Sequence, residues 1–347
     1  NNLAIKGLIG KILEFEFQIT ANFSSRKDLR LTSKNTKTLH IISTNIEHES
    51  VHESLKELEK AGLEITYLKA DKNGFISIAD LEKNIKNNTL LVSVIYANNE
   101  IGTIQPIKEI GRILEKINKK RQENGLSKIH FHTDAVQALN YLECRPDWLK
   151  VDLMTFSGHK IYGPKGIGGL YIRKNTPLAP IILGGGQEIG IRSGTENVAN
   201  IIGLAKAIEL VLKHREKRFE HVLNLRNKLL KSIIKYNRNV KVNGSLDPST
   251  SLRTSNRLPN NLNIRFPGIN NETMLVALDL AGFAVSAGSA CSSRASEVSH
   301  TLKAIGLGDK QAKESVRITL GKYNNEKEIK KLAETIGILS KKLKVIK

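Results

Sequence analysis

Cysteine is nearly absent from this chain of 347 residues, with Cys144 and Cys291 as the whole complement. Two thiols cannot build a disulfide framework or a cysteine-rich metal site, and their scarcity fits a reducing cytoplasm. Aromatic residues make up only 5%, which leaves little to stack on nucleic-acid bases. No stretch reaches the roughly 18 consecutive apolar residues that read as a membrane span, and no charged-then-apolar leader opens the chain. Acidic residues are also in deficit: 34 Asp and Glu stand against 54 Lys and Arg, a net charge of +20. Such a balance invites a nucleic-acid-binding reading. The basic residues are scattered, however, and often sit beside acids, as in Lys108-Glu109, Glu115-Lys116 and Glu326-Lys327-Glu328. No RRM, zinc-finger or basic-zipper pattern accompanies them, so the charge reads as solvated helix faces. Neither nucleic acid nor membrane is expected as a partner.

What is present is ordinary globular material, 40% hydrophobic and 25% charged, long enough for two domains. The chain opens at Asn1 without an initiator Met, already in a helical pattern, and so reads as the remainder of something longer. Strand and helix patterns then alternate over Leu39–Phe156, which predicts a doubly wound α/β domain. Near-continuous apolar runs such as Leu90–Tyr96 suit a parallel sheet buried on both faces. A long helical pattern over Asn197–Tyr236 leads to a smaller α+β region with predicted strands at Asn261–Arg265, Phe283–Ser286 and Ser315–Leu320. The expected division is 1–214 and 215–347.

Polar motifs recur where predicted strands end, the place at which open α/β sheets bind ligands. The richest is Ser157-Gly158-His159-Lys160, followed by a glycine-rich run to Gly169. Taken alone, Lys160 could be a surface lysine in a hairpin turn. Asp134 could cap a helix, and His48, His130, His132 and Arg192 also have structural readings. In combination they supply what a pyridoxal phosphate enzyme needs. Asp134 is placed to keep a pyridine nitrogen protonated, and Gln137 to donate to the ring oxygen. Lys160 is placed to hold the aldehyde and then move protons. Ser157, His159 and Thr195 suit phosphate, and Arg317 suits a substrate carboxylate. Cys144, ahead of Arg145-Pro146, reads as inert. Cys291, among Ala, Gly and Ser, sits where an exposed thiolate can reach a substrate.

Five ordered motifs carry a resemblance: Asn98-Asn99-Glu100-Ile101-Gly102, His132-Thr133-Asp134-Ala135-Val136-Gln137, the segment from Ser157 to Gly168, Arg192-Ser193-Gly194-Thr195 and Gly288-Ser289-Ala290-Cys291. In order and spacing they resemble the cysteine desulfurases of the NifS/IscS group, in the class V aminotransferase branch of fold type I pyridoxal phosphate enzymes. The resemblance implies conversion of L-cysteine to L-alanine with a persulfide on Cys291. That sulfur passes to an acceptor or scaffold protein for iron–sulfur cluster or thio-cofactor synthesis. It further implies that Lys160 forms the Schiff base and that His48 stacks on the ring. Asn99 contacts cofactor and substrate, Ser157 and His159 hold the phosphate, and Arg317 binds the substrate carboxylate. Thr195 reaches the phosphate of a neighbouring subunit, which implies a homodimer. Relatives carry a Gly-Ala-Thr-Glu phosphate loop just ahead of the segment matching Asn1, and IscS-type members extend beyond Lys347. A truncated, weakly active or inactive homologue that keeps the fold is therefore the alternative expectation. Residues 22–37 and 245–256 read as insertions without assigned function.

Overall fold

The structure is a computed structural model that describes residues 1–20, 39–245, 256–288 and 298–345. The first turn, Leu3–Gly7, is π-helical and runs into α1 (Leu8–Thr20). There follow β1 (His40–Thr44), α2 (Glu49–Lys60), β2 (Glu64–Leu68), α3 (Ile78–Asn84), β3 (Thr89–Ser93), α4 (Ile107–Glu123) and β4 (His130–Asp134). A short α5 (Pro146–Leu149) leads to β5 (Leu153–Ser157), a 3-10 turn over Gly158–Ile161 and β6 (Gly168–Ile172). These six strands form one sheet in the order β2-β1-β3-β4-β5-β6. All pairings are parallel except β5 with β6, which is antiparallel.

The apolar runs are buried on both faces because alternate residues point to opposite sides. Ile41, Leu91 and Leu153 pack with Ala4, Ile5, Leu8 and Ile9, whereas Ile42, Val92 and Phe131 join the larger core beneath α4. The strand order reverses between β1 and β3, since β1 is followed leftward by β2 and β3 lies to its right. A crevice opens at such a reversal, outside the carboxyl ends of the strands.

The helical pattern from Asn197 is one helix, α6 (Val198–Tyr236), so residues 214 and 215 lie inside it. Beyond it come β7 (Lys241–Val242), β8 (Asn261–Arg265), α7 (Asn271–Leu280), α8 (His300–Ala304), α9 (Asp309–Ala312), β9 (Ser315–Thr319) and α10 (Glu326–Val345). A second, antiparallel sheet runs β7-β8-β9. The strand expected at Phe283–Ser286 is reduced to one bridge, Ser286 to Arg317. The tract 22–37, most of 245–256 and Cys291 lie outside the described residues.

Candidate active site

Four strand ends deliver the polar motifs to one crevice. After β1 the chain turns through Glu47 and His48, and His48 caps α2: its Nδ1 accepts from the Ser50 amide at 3.2 Å and pairs with Ser50 Oγ at 2.8 Å. After β3, the Asn98 carboxamide accepts from the amides of Glu100 and Ile101 and donates to the Ile46 carbonyl. That bracing fixes the turn on which Asn99 rides. Gly102 completes it at φ 75°, where a Cβ would lie 2.9 Å from that of Asn261. Asp134 ends β4, and Lys160 sits in the tight 3-10 turn between the antiparallel partners β5 and β6. The lysine therefore does lie in a hairpin connection, but one whose turn faces the crevice.

Asp134 is buried, with Oδ1 accepting from the Val136 amide (2.9 Å) and Oδ2 from Asn1 Nδ2 (2.7 Å). The same Asn1 amide donates to Ser50 Oγ (2.6 Å), and its oxygen accepts from Thr155 Oγ1 (2.5 Å). One carboxamide thus couples Asp134 to the cap that orients His48. Ser157 Oγ and His159 Nδ1 pair at 2.7 Å. Burial lowers the His159 pKa, helped by the charges of Lys160 and Lys165, which favours a neutral imidazole. From the second sheet, Arg317 Nη1 donates to the Asn99 carbonyl at 3.2 Å.

The resulting cleft has a volume of about 520 Å³. His48, Asn99, Asp134, Gln137, Ser157, His159, Lys160 and Arg317 all line it. Thr195 does not; it is exposed in the chain leading to α6. Cys291 lies outside the described residues. Cys144 is buried, and burial pushes its thiol well above the usual range, which removes it as a nucleophile. His130 and His132 are buried in β4, and burial lowers them to about 4 and about 3, so both are neutral structural groups.

Several lining residues carry no signal in the sequence. Asn1 and Ser50 stand in no motif, since Asn1 meets Asp134 across 133 positions. Tyr162 belongs to the segment from Ser157 to Gly168 but has no role assigned by its type or spacing. It lies at φ 64°, accepts from the Lys322 amide at 2.9 Å and has the Lys322 ammonium 4.2 Å from its ring centre. Glu47, just beneath His48, is fully buried. Its Oε1 accepts from Thr44 Oγ1 and the Ile95 amide, each at 2.8 Å, while Oε2 has no hydrogen-bond partner. Burial, reinforced slightly by Asp134, raises its carboxyl to about 8.

The aminotransferase class-V family profile matches residues 29–332. Cysteine desulfurase IscS of Dictyoglomus turgidum is 43% identical over 311 residues, covering 90% of this chain and 74% of that relative. Cysteine desulfurase IscS of Clostridium botulinum is 44% identical over 297 residues, covering 86% of this chain and 71% of that relative. A solved NifS-like protein superposes with a TM-score of 0.79 at 33% identity, covering 99% of this chain and 82% of that one. Sequence relatives and fold agree: the chain belongs to the aminotransferase class-V family, within its cysteine desulfurase group.

Proposed function

We propose that this protein is a pyridoxal phosphate-dependent cysteine desulfurase, converting L-cysteine to L-alanine and leaving a persulfide on Cys291. The observation that carries the reading is the single cleft lined by eight of the ten expected site residues. Its donor set fits the cofactor. A buried carboxylate, Asp134, is available for a ring nitrogen and Gln137 for the ring oxygen. A hydroxyl–imidazole pair, Ser157 and His159, suits the phosphate, and a primary amine, Lys160, suits the aldehyde. Bound there, pyridoxal phosphate supplies the electron sink that makes loss of the substrate Cα proton feasible.

The chain's own residues do the rest. Arg317, tied to the Asn99 carbonyl, pairs with the substrate carboxylate and fixes its orientation. Lys160 takes the Cα proton and returns one. The Cys291 thiolate attacks the substrate sulfur, so that an S–S bond forms as the Cβ–S bond breaks. The electron pair of the broken bond stays with the carbon skeleton, which takes up at Cβ the equivalent of the proton released when the Cys291 thiol ionises and leaves as L-alanine. No external oxidant is needed, and the bound sulfur then passes to an acceptor or scaffold protein. A reducing cytoplasm suits a chemistry that depends on a free thiolate. Among the described residues no helix is long and apolar enough to cross a membrane.

A homodimer is part of the proposal. Leu183 (80% exposed), Ile189 (97%), Val198 (61%) and Ile202 (64%) are large apolar side chains left exposed on either side of Thr195 in the sequence. A second copy covering them would bring Thr195 to the neighbouring phosphate. A division into 1–214 and 215–347 is part of the proposal; it is supported by one sheet on each side of it, while the boundary itself falls within α6. The first test is spectroscopic. Pyridoxal phosphate added to the protein should give a visible absorbance that Lys160→Ala loses. An unchanged spectrum in the variant would sink the assignment of Lys160.

A further inference from the structure

We infer that Tyr162 is a positioning residue that fixes Lys160 relative to Arg317. The amine that moves the Cα proton and the guanidinium that grips the substrate carboxylate then act on one substrate pose. The inference rests on the desulfurase reading. Tyr162 closes the 3-10 turn that carries Lys160, and its amide donates to the Gly158 carbonyl. Its backbone is left-handed, at φ 64° and ψ 21°, a region that a bulky residue rarely enters and that glycine or asparagine occupies more readily. A residue persists in such a conformation where its surroundings over-determine it. For Tyr162 those surroundings are side-chain contacts made beyond the first sheet.

The Tyr162 hydroxyl accepts from the Lys322 amide at 2.9 Å. The Lys322 ammonium lies 4.2 Å from the ring centre, and the guanidinium of Arg218 in α6 lies 5.3 Å from it. The Tyr323 ring meets it edge-on with centroids 6.0 Å apart. A Cβ on Gly321 would stand 2.9 Å from the hydroxyl. Residues 321–323 come directly after β9 and Leu320, and β9 holds Arg317. That segment is itself held in place. The Leu320 amide donates to the Asn260 carbonyl at 2.9 Å, and the Gly321 amide to Asn324 Oδ1 at 2.8 Å. Arg218 is buried and also donates to Asn140 Oδ1, and Asn140 lines the cleft as Tyr162 does. Tyr162 is thus joined through its backbone to Lys160 and through its side chain to the strand of Arg317.

This bridge matters to one step more than to another. Within one chain, capture of pyridoxal phosphate draws on Asp134, Gln137, Ser157, His159 and Lys160, all at strand ends of the first sheet or in the turns that follow them. Removal of the Cα proton draws on Arg317 as well, because the substrate is oriented by its carboxylate. Productive geometry needs reacting atoms about 3–3.5 Å apart, and a misplacement of about 1 Å costs on the order of 100-fold.

The test measures pyridoxal phosphate affinity by absorbance titration, and exchange of the L-alanine Cα hydrogen in deuterated water. Tyr162→Phe, which loses the acceptor for the Lys322 amide, should keep cofactor affinity within about twofold and slow exchange by at least about tenfold. Gly321→Ala should do the same, because its methyl meets the Tyr162 hydroxyl; Gly321 does not occupy the left-handed region, so its backbone accepts alanine. The ring carbon that bears the hydroxyl stands 3.9 Å from the Cβ position, an ordinary contact. In the Tyr162→Phe background, Gly321→Ala should therefore slow exchange by less than about a further twofold. Exchange at the wild-type rate in both single variants would overturn the positioning role. So would cofactor affinity that falls in step with exchange, or losses that multiply in the double variant. No cofactor capture or no exchange in the wild-type protein would instead overturn the desulfurase reading.

Discussion

At the residue scale, the most unusual group is the Glu47 carboxyl, buried with one oxygen unpaired and raised to about 8. Its ordinary value is 4.5, so between these values the folded protein keeps a proton that the unfolded chain has released. Stability therefore falls as pH rises through that window and levels off above about 8. Glu47→Gln removes the titration. The variant should gain on wild type by a few kcal/mol between acidic and alkaline pH, because each pH unit crossed inside the window counts for about 1.4 kcal/mol. Melting temperatures of the two proteins across pH check this, and a constant difference would contradict it. Lys160, Asp134 and Gln137 were legible as cleft residues because they carry their chemistry in local motifs. The Asn1 amide was not. Its partners Ser50, Asp134 and Thr155 come together only through the sheet, and an asparagine at a helix start has no distinctive spacing.

At the element scale, the site depends on turns that follow parallel strands, and on where the second sheet meets them. The Asn98–Gly102 turn is held from that sheet by the carboxamides of Asn261 and Asn263, which donate to the Glu100 carbonyl at 3.0 and 3.1 Å. Gly102 is required twice over, for its positive φ and for the approach of Asn261. Gly125, at φ 66°, has open space where a Cβ would stand. Gly102→Ala should therefore cost about 2–3 kcal/mol and lower turnover, whereas Gly125→Ala should cost about 1 kcal/mol and leave turnover intact. Denaturant titration and steady-state assays of both variants decide the point; equal effects would contradict the contact with Asn261. Strand and helix alternation over the first sheet was readable from apolar runs and 3–4 spacing. The bridge at Ser286 was not, because Phe283–Ser286 has strand composition but pairs with β9 at one residue only. Likewise, periodicity shows that α6 is long but cannot show that it joins two sheets.

At the scale of the whole molecule, a net charge of +20 coexists with a site that handles a small amino acid, so charge alone would have misdirected the reading. The exposed apolar side chains flanking Thr195 in the sequence argue for self-association. Leu183→Glu combined with Ile189→Glu should shift sedimentation from dimer to monomer and weaken pyridoxal phosphate retention, since Thr195 then loses its partner. A wild-type monomer with full cofactor retention would remove the dimer from the account. The central claim is the desulfurase reaction itself, and one experiment addresses it directly. The protein, loaded with pyridoxal phosphate and given L-cysteine without reductant, is analysed for L-alanine and for the sulfur carried by each cysteine. The account predicts one equivalent of L-alanine per persulfide, with the persulfide on Cys291, Cys144 unmodified, and both products abolished in Cys291→Ser. Persulfide on Cys144, or alanine formed undiminished by Cys291→Ser, would contradict it.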